Sequence, residues 1–292
     1  MSDTASQKNR NAPIGVFDSG LGGLTVLREL LTLLPQESYV YLADTANAPY
    51  GRNSPETVRK NTLNNVEFFL HHEVKMIIFA CNTSSAIALD AAKEKAGSLP
   101  VIGVIEAGIS AAMNAADKER AVKIAVLATE ATVANGVFAR KIPAKFTEND
   151  YVEPLVRQKA CQDFVQVVED GKWDDPLADE AAEACLHEVR NEEPEIAILA
   201  CTHFPLLKDS IQKSLPKTHL VDCSKALAYE IEDLLTSLDL LNTSKKNSEL
   251  EVEFYVTKYK TGIEQNIGRI LDIELDRVHH VDTNYTDEIE AN

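Results

Sequence analysis

Short runs of apolar, often β-branched residues alternate along this chain with longer stretches of helical periodicity. IGVF at 14–17 reads as a buried strand, then DSGLGG as a turn and LTVLRELLTLL as a helix. YVYLAD at 39–44 predicts a second strand and 47–54 a loop. Positions 55–73 predict an amphipathic helix with Pro55 in its first turn, where a missing N–H costs little. VKMIIFA at 74–80 predicts a third strand, SSAIALDAAKEKA a helix, and PVIGVIE at 100–106 a fourth strand. Buried strands spaced by helices indicate a parallel sheet covered on both faces.

The second half repeats this plan. KIAVLA at 123–128 and EIAILA at 195–200 predict strands, with a helix at 179–191 between them and LVDCS at 220–224 as a short closing strand. AYEIEDLLTSLDLL predicts a helix, NTSKKNSE at 242–249 a linker, ELEVEFYVT a half-buried strand, and about 261–272 a last helix; the chain from Thr283 reads as frayed. The fold class expected is α/β: two similar parallel-sheet α/β domains with the active site in the cleft between them. The first would comprise 13–107 plus 223–283 and carry Cys81; the second would comprise 108–222 and carry Cys201.

Composition narrows the function classes. Hydrophobic residues at 45% and charged residues at 26% suit a globular chain of 292 residues. A formal charge of −17 argues against gripping nucleic acid, and it repels anionic small molecules at long range, so these need local donors. No stretch approaches the roughly 20 apolar residues that span a bilayer, and the polar N-terminus lacks a secretion signal. Five widely spaced cysteines without a CxxC pair suit reduced thiols, which predicts a cytoplasmic protein with neither a disulfide framework nor a zinc site.

Candidate chemistry begins with an internal echo: MIIFACNTSSA and IAILACTHFPL each end an apolar run in Ala-Cys followed by two polar residues. Ligand sites of parallel sheets gather beyond the carboxyl ends of strands, so Cys81 and Cys201 are placed to face one another across a cleft. Cys161, Cys185 and Cys223 read instead as small buried hydrophobes. DSGLGG supplies only two glycines of a dinucleotide fingerprint, with Thr25 in the third position and Asp44 as the acidic partner. The simpler reading is a tight turn presenting Asp18 and Ser19. The pairs His71-His72 and His279-His280 read as solvated surface, no metal-ligand spacing occurs, and His203 beside Cys201 keeps a Cys-His hydrolytic dyad open.

The segments FDSGLGGLTVLREL, DTANAPYG, ACNTSSA, GVIEAG, ATEATV and CTHFPLL, in this order from about residue 13 to 272, resemble the glutamate racemase family. The resemblance implies a cofactor-independent isomerase whose catalytic thiols are Cys81 and Cys201, assisted by Asp18 and His203 respectively. It implies substrate contacts from Ser19, Pro49, Tyr50, Gly51, Asn82, Thr83, Thr129, Thr132 and Thr202, and a histidine-orienting role for Glu169. It also implies glutamate as substrate, D-glutamate for peptidoglycan as product, and no metal; a homodimer is the candidate assembly. The sequence departs from the family pattern at Gln162 and Gln166, where prolines are common, at Asn135, and at Cys223 in a serine's place.

The chemistry agrees with that assignment. Racemisation needs an acid and a base on opposite sides of one carbon, and free thiols with a pKa of about 8.5 need only a modest shift to supply thiolate. Without an electron sink, preorganised donors such as Asn82, Thr83 and Thr202 must carry the developing enediolate. A racemase of another amino acid such as aspartate, or a single-cysteine hydrolase or decarboxylase, are the competing readings.

Overall fold

The computed structural model describes residues 10–243, 251–275 and 277–284. Its strands are β1 (Ile14–Asp18), β2 (Ser38–Ala43), β3 (Met76–Phe79), β4 (Val101–Gly103), β5 (Lys123–Ala128), β6 (Leu155–Ala160), β7 (Ile196–Ala200), β8 (His219–Asp222), β9 (Glu251–Val256) and β10 (His279–His280). They form a six-stranded sheet in the order β10-β9-β2-β1-β3-β4 and a four-stranded sheet in the order β6-β5-β7-β8. Every pairing is parallel. Two parallel-sheet α/β domains result.

The helices of the first half are α1 (Leu24–Leu33), α2 (Pro55–His71), α3 (Asn82–Ile87), α4 (Leu89–Ala96) and α5 (Val104–Ala115). The second half contains α6 (Glu130–Asn135), α7 (Val137–Glu148), α8 (Gln162–Glu169), α9 (Pro176–Asn191) and α10 (Lys208–Ser214), then α11 (Cys223–Ser237) and α12 (Ile263–Leu271). Local chemistry fixes several starts. The Ser54 hydroxyl accepts the Thr57 N–H at the head of α2, with Pro55 at the first position. Asp175 and Asp222 cap α9 and α11 in the same way.

One apolar core runs from the first sheet into the second. Val16 and Ile78, Val126 and Ile198, and the buried faces of α5 and α11 belong to a single cluster. The outer faces are filled separately, by Phe17, Phe68, Phe69 and Phe79 in the first domain and by Phe164, Leu186 and Phe204 in the second.

Several boundaries differ from the pattern reading. The strand expected over 100–106 stops at Gly103 and turns into α5, whose buried Val104, Ile105 and Ala107 continue the apolar run without a break in composition. The strand expected over 220–224 ends at Asp222, because that side chain caps α11 and Cys223 is already helical. Ala88, at φ −125° and ψ 0° and so outside the helical region, splits the helix after Cys81 into α3 and α4. Strand β6 was not predicted, since LVRQKA is a half-exposed edge strand without an apolar run. Of the expected linker and frayed tail, 244–250 and 285–292 lie outside the described residues.

The thiol inventory also changes. Cys161, at the head of α8, and Cys185, inside α9, are joined as a disulfide with Cα atoms 6.1 Å apart. Spacing along the chain conceals this pair because packing of α8 against α9 creates it. Cys223 is buried as expected, and burial holds its thiol far above the ordinary range. His72 is not simply solvated: it packs against Phe68 and meets Tyr255 edge-on, and His279 stacks on the same tyrosine.

Candidate active site

In each sheet the chain winds outward from a central strand in both directions, which creates a switch point where a ligand crevice opens beyond the strand ends. In the first sheet β1 lies between β2 and β3, so the crevice lies beyond β1 and β3, where Asp18, Ser19 and Cys81 follow. In the second, β5 lies between β6 and β7, and Thr129 and Cys201 follow. The two crevices meet. A cavity with about 20 Å³ of free space is lined by Ser19, Pro49, Tyr50, Gly51, Cys81, Asn82, Thr83, Thr129, Gln162, Val165, Cys201, Thr202 and His203. A larger hollow beside Lys123, Leu155 and Arg157 lies at the opposite, amino ends of the strands.

Both thiols therefore reach one cavity, one from each domain. The Cys81 Sγ lies 3.8 Å from the Ser19 Oγ. Burial, and secondly the charge of Asp18, push the Cys81 thiol up to about 11, so it is held protonated at neutral pH. The expectation of an easily formed thiolate thus fails for Cys81 in this closed arrangement. The Cys201 Sγ lies 3.7 Å from His203 Nδ1, and His203 Nε2 lies 2.8 Å from Glu169 Oε1. Burial alone would lower the imidazole, but hydrogen bonds to Cys201 and Glu169 outweigh it and hold His203 well above its ordinary value. The Glu169 carboxyl, despite burial, is drawn down to about 2 by the His203 hydrogen bond and charge and by Lys260.

Asp18 is fully buried at the end of β1. Its Oδ2 accepts the Gly20 N–H at 3.0 Å and its Oδ1 accepts the Thr202 hydroxyl at 3.2 Å. Burial raises it to about 6 against the opposing pull of His203. Asp18 thus reaches Cys81 through its charge while its hydrogen bonds hold the loop that follows Cys201.

The DSGLGG turn serves close approach between the domains. A methyl group at Gly20 would collide with the Glu169 carboxylate, and one at Gly22 with the His203 ring and the Thr202 hydroxyl. Leu21 N–H donates to Glu169 Oε1 at 3.1 Å, and the Thr25 hydroxyl donates to the Thr202 carbonyl at 3.0 Å. Thr25, the residue that spoils the dinucleotide fingerprint, is a tie across the interface. Asp44, its supposed ribose partner, is buried and accepts hydrogen bonds from Asn47, Tyr50, Asn65 and Thr257. Those bonds lock the Pro49-Tyr50-Gly51 wall in place.

Of the remaining residues singled out in sequence, Thr132 stands behind the cavity. Its hydroxyl joins those of Thr83 and Thr129 at 3.2 and 3.0 Å, a triangle spanning both domains. Asn82 lines the cavity, and its buried Oδ1 has no partner among the described residues. Gln162 and Val165 line it as well and were not assigned there; the apolar stripe of QDFVQVVE is the signal that places them on one face of α8. Among the described residues no group of three or more His, Cys, Asp or Glu side chains is arranged to hold a metal, and no helix is long and apolar enough to cross a membrane.

Residues 14–231 match the Asp/Glu/Hydantoin racemase family. The chain is 40% identical over 234 residues to the glutamate racemase of Chlorobaculum parvum, covering 80% of this chain and 83% of the relative. To that of Geobacter metallireducens it is 37% identical over 270 residues, 92% of this chain and 96% of the relative. The crystal structure of the Francisella tularensis glutamate racemase in complex with D-glutamate superposes with a TM-score of 0.84 at 36% identity, covering 94% of this chain and 99% of the other. By this match and these relatives, the chain belongs to the Asp/Glu/Hydantoin racemase family and is an isomerase.

Proposed function

We propose that this protein is a glutamate racemase that moves the α-proton between Cys81 and Cys201 without a cofactor. The observation that carries the reading is the shared cavity, into which each domain contributes one free thiol. The two domains as units (13–107 with 223–283, and 108–222) form its walls. The relatives at 35–40% identity are glutamate racemases, which favours glutamate over aspartate as substrate.

In the L-to-D direction the Cys201 thiolate, stabilised by the His203 imidazolium, removes the α-proton. The Cys81 thiol delivers its own proton to the opposite face. The turnover leaves Cys201 as thiol and Cys81 as thiolate, and D-glutamate runs the sequence backwards. Asp18, raised to about 6, is coupled to Cys81, since neutral Asp18 relieves the repulsion that opposes the Cys81 thiolate. The carbanion needs its charge received by fixed donors, a role suited to Thr83, Thr202 and the backbone around Asn82. The unpaired Asn82 Oδ1 suits the substrate ammonium. Among the described residues no lysine lines the inner cavity, so a Schiff base has no anchor there. In a wall-building cell the D-glutamate would enter peptidoglycan, and the enzyme would work in the cytoplasm.

Incubation with L-glutamate in D₂O, with no cofactor added, tests the reading. D-glutamate carrying deuterium at Cα is expected, with loss of racemisation in both Cys81→Ala and Cys201→Ala. Full activity in either variant would overturn the two-thiol mechanism; a Cys201-only requirement would point to a single-cysteine enzyme.

A further inference from the structure

Glutamate is an anion at neutral pH, and it must approach a chain whose formal charge is −17. No lysine or arginine lines the inner cavity, so the field of the protein is not offset there by a mobile cation. The cations stand one layer out. The inner cavity adjoins a basin of about 180 Å³ with which it shares Ser19, Pro49, Gln162, Val165 and His203. Besides His203, two cations among the described residues line that basin, Arg52 beside the Tyr50 wall and Lys260 in the loop after β9.

Both side chains face solvent about half-way, Arg52 at 57% and Lys260 at 47% exposure. Their acidic neighbours hold them loosely, Asp163 at 3.8 Å from Arg52 and Glu169 at 3.5 Å from Lys260. The Asp163 side chain is 92% exposed, and the Glu169 charge is already met by His203 at 2.8 Å. The basin therefore carries an excess of positive charge inside a strongly negative surface.

We propose that Arg52 and Lys260 form a cationic mouth that concentrates the anionic amino acid at the cleft and favours it over a neutral isostere. The proposal rests on the glutamate reading. A unit charge about 8 Å from a carboxylate in a watery cleft changes its local concentration about two- to threefold, so the pair supplies about four- to ninefold. Such an effect is electrostatic and screened, with a Debye length of about 10 Å at 0.1 M salt and about 3 Å at 1 M.

The test is KM and kcat for glutamate with wild type, Arg52→Gln, Lys260→Gln and the double variant, at about 20 mM and about 0.5 M NaCl. The double variant should raise KM about four- to ninefold at low salt and less than about twofold at high salt, with kcat changing less than KM. Arg52→Lys and Lys260→Arg should restore KM, which a shape-based role would not allow. A KM increase that persists undiminished at high salt, charge-conserving variants as poor as the neutral ones, or no increase at all would overturn the cationic mouth alone. Failure of the wild type to racemise glutamate would instead remove the reading on which it stands.

Discussion

Replacing Glu169 by glutamine keeps the shape of the side chain and deletes the charge that faces His203. The pair is secluded, with side-chain exposures of 4% for His203 and 12% for Glu169, and the contact is 2.8 Å. The fall of Glu169 from 4.5 to about 2 corresponds to about 3 kcal/mol of interaction. Hydrogen bonds to charged groups contribute about 1.5–3 kcal/mol when measured by mutation, so the two scales agree in order of magnitude. If this interaction supports the imidazolium beside Cys201 during proton transfer, Glu169→Gln should lower kcat/KM by about 10- to 150-fold. The enantiomers have equal free energies, so the loss in kcat/KM must be the same in both directions.

The pH profile gives the sharper readout. The Glu169 carboxylate favours the charged imidazole, so its removal lowers the His203 pKa and moves the alkaline limb of the activity profile to lower pH. The pair's contribution to stability has two edges. It is lost as pH rises through the raised His203 value, and on the acid side as pH falls from 4.5 through about 2. Rates can be followed by the change in optical activity of glutamate across pH 6–10. Activity within about twofold of wild type with an unmoved alkaline limb would refute the role assigned to Glu169.

Gly22→Ala should abolish most activity while leaving the protein folded, because the added methyl group meets the His203 ring and the Thr202 hydroxyl; kinetics and circular dichroism on the same sample check this. Asp18 is raised from 3.8 to about 6, so the folded state binds its proton more tightly and stability should fall by about 3 kcal/mol as pH rises through that window. Urea unfolding from pH 4 to 7 should show this slope in wild type and lose it in Asp18→Asn. The Cys161–Cys185 link closes a segment with a sequence separation of 24, which stabilises by about 3 kcal/mol in the chain-entropy account. Cys185→Ser should lower stability by about that amount without reductant and by little with it.

The two thiols, His203 and the DSGLGG turn were legible in sequence because each sits where an apolar run ends, and strand ends have a fixed address in a parallel sheet. Contacts formed between the halves were not legible. Cys161 and Cys185 find each other through packing of α8 on α9, and Thr25 finds the Thr202 carbonyl across the domain interface. Neither partner is announced by local periodicity. Composition misled in one respect as well: a cysteine's ordinary pKa says nothing of full burial beside Asp18, which keeps the Cys81 thiol protonated. Strand β6 was missed for a different reason, since an edge strand pairs on one side only and need not be apolar.

The size of the inner cavity imposes a last requirement. About 20 Å³ is room for about one water molecule, far less than an amino acid with an acidic side chain such as glutamate needs. The described arrangement is therefore a closed cleft, and substrate entry requires the domains to part. They are tied by Arg269 of α12, which donates to the Gly171 carbonyl at 3.0 Å and to both Asp174 oxygens at 3.1 Å. Its guanidinium lies 4.1 Å over the ring of Trp173, the single tryptophan of the chain. Opening that moves α12 away from this turn changes the environment of the only indole, so tryptophan fluorescence reports on the cleft. Saturating D-glutamate should shift the emission, and Arg269→Ala should shift the ligand-free baseline and reduce kcat, because the closed state loses a stacked, bidentate contact. An active wild-type enzyme whose emission is identical with and without substrate would show that the domains part without disturbing this contact, and the assignment of Arg269 as the tie would fall.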